Sequence, residues 1–193
     1  PHIASGEYCI NLGWHSSAIG NYSTVLGGNY CLASGDIDPN DGKQYRGSMA
    51  QGLNTSPVGH YSHAEGCHTF ASSYYSHAEG LSSMSLNTGS HAEGYRNFAN
   101  GDFSHAEGQS TSAYGKCAHT EGLKTKASGD YSLVIGKYNN NDTAAFVIGN
   151  GTSAAEDDIR SDAFIVDWNG TASATKLATS GFQDVEQAIN QSW

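Results

Sequence analysis

Polar and apolar positions in this chain alternate in short bursts, and the bursts repeat. Ser62-His63-Ala64-Glu65-Gly66 returns at Ser76, Ser90 and Ser104, always fourteen residues later. Glycine closes each burst. It falls every seventh residue at Gly6, Gly13, Gly20 and Gly27, and again at Gly52, Gly59, Gly66, Gly80, Gly94, Gly101, Gly108, Gly115, Gly122, Gly129 and Gly136, with only Ser73 and Asn87 missing from the second grid. Asn is the non-glycine residue that best tolerates positive φ, so Asn87 is expected to keep a left-handed turn. The heptads differ in kind: one carries Ser-x-Ala-x-Gly, the other a looser Ser/Thr-x-Ala-x-Gly as at Thr111–Gly115 and Thr125–Gly129. The true period is therefore fourteen.

Seven residues are too few for a helix and its return, and a glycine in every second helical turn costs about 1 kcal/mol each. Short strands closed by glycine turns, two per fourteen residues, predict an all-β fold: a parallel β-solenoid whose coils stack about 4.8 Å apart. Side chains alternate across a strand, and so narrow a lumen admits only small groups. Ser and Ala point in; His and Glu point out. Stacking then collects His63, His77, His91, His105 and His119 into one column and Glu65, Glu79, Glu93, Glu107 and Glu121 into the next, beside an aromatic column of Tyr8, Tyr22, Tyr61, Tyr75, Phe103 and Tyr131.

Five carboxylates at that spacing repel one another, and the histidines two residues away are their natural partners. The expectation is a ladder of partly protonated imidazoles paired with glutamates, weakened by both acid and alkali. The same two outward columns hold Ile10 and Leu12, Thr24 and Leu26 near one end and Leu133 and Ile135 at the other. Large aliphatics do not belong on a solvated stripe, so this face is expected to lie against other copies of the chain.

Those residues resemble a known family. Asn21–Gly27, Tyr131–Gly136 and Ser17–Gly20 are similar to the head repeats of trimeric autotransporter adhesins, a left-handed parallel β-roll in which three chains pack side by side. The resemblance covers residues 1 to 136 and implies a homotrimer. In that family the outward pair is usually aliphatic; here His and Glu take its place.

Three regions follow: a β-roll over 1–136 with a loop extruded at 37–46, a β-rich region over 137–175, and a tail over 176–193. Phe146–Ser153 and Asp162–Gly170 read as strands, with Asn169-Gly170 a tight turn. They resemble the region that follows such repeats in bacteriophage tail fibres and appendages. Phe182–Ile189 carries apolar residues at i, i+3, i+6 and i+7, the pattern of a short terminal helix.

Composition narrows the function. Nineteen acidic against nine basic residues give a net charge of −10, which repels nucleic acid. No apolar run is long enough to insert in a membrane. Cys9, Cys31, Cys67 and Cys117 form no C-x-x-C pair, which leaves them as structural thiols. The expected protein is a non-enzymatic trimeric fibre segment, extracellular, on a virion tail or bacterial cell surface. Its partners are its own copies and a host-surface glycan or protein. Asp38, Asn40, Asp41, Lys43, Gln44, Tyr45 and Arg46 are the candidate receptor-binding loop. A bacterial adhesin head, or a piece of a fibre-borne enzyme such as a polysaccharide lyase, are the alternatives. Five equivalent His/Glu sites argue against catalysis, which wants one tuned pair in a cleft. No cofactor or metal is expected, since a hydrogen-bonded network explains every layer; were a layer occupied, the five histidines would be the axial ligands. An ice-binding face needs an unbroken exposed threonine row, and Ser83 and Asn97 interrupt Thr69, Thr111 and Thr125.

Overall fold

The computed structural model describes residues 2–34, 47–153 and 158–175. The candidate loop at 37–46 and the candidate helix at 182–189 lie outside them. Among the described residues there is no helix, and the chain winds as a parallel β-solenoid of about 10 turns. Each coil contributes one strand to each of two faces. The first face runs in chain order through Ile10–Asn11, Thr24–Asn29, Met49–Leu53, His63–Cys67, His77–Ala78, His91–Tyr95, His105–Gln109, His119–Leu123, Leu133–Lys137 and Phe146–Asn150, all parallel. The second face is made of two-residue strands such as Phe70–Ala71, Met84–Ser85 and Phe98–Ala99. Like pairs with like across coils, His77 with His91 and Ala78 with Ala92.

The lumen is as narrow as the sequence demands. Ala64, Ala78, Ala92 and Ala106 of the first face, and Ala71, Ala99, Ala113 and Ala127 of the second, are wholly buried. Serine does more than fit. Ser62, Ser76, Ser90 and Ser132 each donate a hydroxyl hydrogen bond to the carbonyl three residues earlier, at 2.6–2.7 Å. Each of these carbonyls also accepts the same serine's amide at 3.1–3.4 Å, so the hydroxyl reinforces the turn. Thr69, Thr111 and Thr125, with Ser83 and Asn97 between them, are also buried; Asn97 Oδ1 accepts from the Thr111 amide at 2.9 Å. This row lines the interior and offers no face to ice.

The turns depart from expectation. Among the described residues, sixteen non-glycine ones have positive φ, including Tyr61, His68, Tyr75, Ser82, Arg96 and Phe103, and Gly89 holds the same place in its coil. They sit two residues beyond each grid position, and the aromatic column is part of them. In this conformation the amide turns back towards the preceding coil: Tyr75 donates to His60 O at 2.9 Å and Phe103 to Thr88 O at 2.7 Å, whereas strand amides such as His77 donate forward, to Ser90 O. Asn87 is not left-handed; its side chain donates to Asn100 O instead. The glycines of its series serve close approach. A Cβ on Gly101 would lie 1.9 Å from the Gly115 carbonyl oxygen.

The extra residues between the two glycine grids leave the stack intact. Thr24 pairs with Met49, after a bulge the register resumes at Gly28 with Gly52, and on the other face Leu32 donates to Thr55 O at 3.0 Å. At the far end Phe146–Asn150 stacks in parallel on Leu133–Lys137, then Asp162–Val166 and Ala172–Ala174 add in antiparallel. The Asn169-Gly170 turn is present, Gly170 donating to Asp167 O at 2.9 Å with φ of 85°. Lys124 pairs with Asp158 at 3.0 Å, and Arg160 donates to the carbonyls of Lys124 and Asn139, tying this cap to the last coils.

Replacing Gly101 by Ala should lower stability by about 1–3 kcal/mol or more, because the obstacle is backbone and cannot swing aside. Denaturant melts of the variant check this, and an unshifted midpoint would mean the coils are not in van der Waals contact there.

Candidate functional site

The outward residues of the first face form the site. Register places Ile10, Thr24, Met49, His63, His77, His91, His105, His119, Leu133 and Phe146 in a single column. The imidazoles of its centre are stacked, with ring centroids 4.6–4.7 Å apart from His63 to His119. The glutamates line an open groove of about 850 Å³, floored by the glycines that follow them, Gly66 to Gly122. The five histidines and four of the glutamates, Glu65, Glu79, Glu93 and Glu107, are half-buried in the single chain, while Glu121 is exposed; Leu133 stands exposed where the ladder ends, with Ile135 half-buried beside it. A third outward column, Leu53, Cys67, Leu81, Tyr95, Gln109 and Leu123, flanks the groove. The signal for it is the residue after each glycine, which is apolar at Leu53, Leu81 and Leu123.

Histidine and glutamate do meet, but obliquely. His63 and His77 face the glutamate of their own coil at 3.8 and 4.0 Å; His91, His105 and His119 face the glutamate of the preceding coil at 4.0, 3.5 and 3.4 Å. These separations exceed a good N–H···O bond, and all five Nε2 atoms are buried without a hydrogen-bond partner.

The charge states differ from the expected ladder of protonated imidazoles. Burial lowers the pKa of His63, of His77 and of His91, the last to about 4, with the neighbouring imidazoles adding to the effect in His77 and His91. At neutral pH these three are uncharged, and the glutamates must relieve one another. Hydrogen bonding to Glu93, and then to Glu65, raises Glu79 to about 7, while hydrogen bonding, to Glu79 first, lowers Glu93. Like charges one strand apart cannot all persist; a proton shared along the column removes part of the repulsion.

No family model matches the chain, and no curated protein matches it.

Linkage gives the pH profile its sign. Between about 4 and 6.5 the unfolded chain binds protons that His91 refuses when folded, so this imidazole, with His63 and His77, makes stability fall as pH drops through that window. Glu79 acts in the opposite sense: folded, it keeps to about 7 a proton the unfolded chain releases near 4.5, so its contribution is present below 4.5 and lost as pH rises to 7. With three imidazoles against one carboxyl, the melting temperature in EDTA should climb from pH 4 to 6.5 and show no alkaline loss up to pH 9. Glu79→Gln should raise the melting temperature at pH 8 and leave it unchanged at pH 4; equal stability at both would show that no proton is shared.

Proposed function

We propose that this chain is a trimer-forming, non-enzymatic segment of a phage or phage-like tail fibre that serves attachment to a cell surface. One observation carries the reading. The histidines of the column are flanked by uncovered aliphatics, with Ile10 51%, Leu133 38% and, alongside, Leu12 70% and Leu26 45% exposed in the single chain. Leu53 and Leu81 add 41% and 43% on the same face. Uncovered apolar side chains at both ends of a column of half-buried imidazoles are what an interface between copies looks like before it is closed.

The reading is further supported by the resemblance of the repeat to trimeric autotransporter adhesin heads and of residues 146–170 to tail-fibre sequences. A stack stabilised coil by coil is a stiff spacer, suited to holding a binding surface away from a particle. The receptor is taken to be a surface glycan or protein, and the loop at 37–46 is the place proposed for its recognition.

Sedimentation or native mass spectrometry should give three chains per particle. Leu133→Glu, which is tolerated by an isolated coil, should drive the particle towards monomer, since burying one leucine is worth about 1.5–3 kcal/mol. Labelled trimer should bind intact cells of some strains in a bacterial panel and lose that binding when residues 37–46 are replaced by a short Gly-Ser linker. A stable wild-type monomer would remove the interface, and strain-independent binding that survives loop replacement would remove the attachment role of that loop.

A further inference from the structure

We infer that His91, Glu93 and His105 form a binding site for a divalent transition-metal ion of the zinc class, complete within one chain. A ligand atom from each of the three lies within 4.8 Å of the others. The His105 Nε2 to Glu93 Oε1 distance is 3.5 Å, close to the edge of about 3.4 Å that a tetrahedral ion sets between donors bound at 2.0–2.1 Å. The other donor pairs, within 4.8 Å, close by rotation of side chains that are only half-buried. Two imidazole nitrogens and one carboxylate oxygen suit zinc and cobalt(II) and disfavour magnesium and calcium, which take all-oxygen shells.

Three features point to an occupant. The Nε2 atoms of His91 and His105 are both buried and unpartnered, an arrangement that costs free energy unless something binds there. The path to them is the groove, whose wall of carboxylates concentrates cations at its mouth. Register also brings the donors together: His91 pairs with His105 and Glu93 with Glu107 in the ladder, and a tilt of the two stacked rings towards each other turns both Nε2 atoms onto one ion. An ion there touches two coils at once, with a further coordination position left towards the groove. Glu65, His77 and Glu79 form a second, oxygen-richer group of the same kind, expected to bind more weakly.

The test uses the whole chain, produced without a histidine tag, never exposed to a nickel column and dialysed against EDTA. Titration calorimetry with zinc chloride should show one tight ion per chain followed by a weaker phase, and cobalt(II) should develop the intense visible bands of a four-coordinate site that zinc then bleaches. His91→Ala, His105→Ala and the nearly isosteric Glu93→Gln should each weaken the tight phase by at least about tenfold, the loss expected when even a supporting partner of a metal ligand is removed. His15→Ala, at an exposed turn remote from the stripe, should bind as wild type. Absence of any heat and any cobalt band would overturn the site, as would a tight phase unaffected by Glu93→Gln in a variant that melts as wild type does. Ion count per chain is independent of sedimentation mass, so failure here is distinguishable from failure to trimerise.

Discussion

Hydrogen bonds between parallel strands set successive coils about 4.8 Å apart, and that spacing leaves almost nothing else free. It fixes which residue types can face inward, since two sheets joined by turns of a few atoms enclose room for Ala and Ser but not for Leu. It also favours glycine where backbones of adjacent coils nearly touch, as at Gly101 and Gly115, a place that Ser73 and Asn87 take in their own coils. Ladder bonds running forward from the strands and backward from the turns hold this geometry. Together they offset the strain of a left-handed residue at every turn, of order 1–2 kcal/mol for each non-glycine one.

The same spacing governs the electrochemistry of the outer stripe. An imidazole above an imidazole at 4.6–4.7 Å is tolerable when neutral and unfavourable when charged, which adds to burial in lowering His77 and His91. A carboxylate above a carboxylate faces the converse problem and holds a proton it would otherwise lose. Stripe chemistry is thus a property of the column rather than of any one side chain, with Glu79 and Glu93 shifted in opposite senses although their sequence neighbours are identical.

Much of this was legible in the residues themselves. Period, the two faces, the inward Ser and Ala and the pairing of each His with the next all follow from a fourteen-residue repeat and alternation along a strand. What escaped has physical causes. Left-handed backbone was assigned to Asn87 from its tolerance for that conformation, but Tyr75 and Phe103 adopt it instead, because the flipped amide gains a ladder bond that outweighs an unfavourable φ. The glutamates two residues away predict protonated histidines; at His63, His77 and His91 burial works against it, aided at the last two by neighbouring rings, and neither is visible in a linear sequence. The metal-ligating group joins His91 and Glu93 to His105 of the following coil, a combination that only register reveals.

Because each coil touches only the ones before and after it, the chain is a ladder whose rungs are interchangeable. Deleting residues 77–90, for instance, would bring His91 down beside His63 with every bond type preserved, at the cost of one increment of height. Length in such an architecture can be altered by whole-rung recombination between near-identical stretches of coding sequence, with the antiparallel cap carried along untouched. Reach would then vary between related molecules in discrete steps while their cross-section stayed the same.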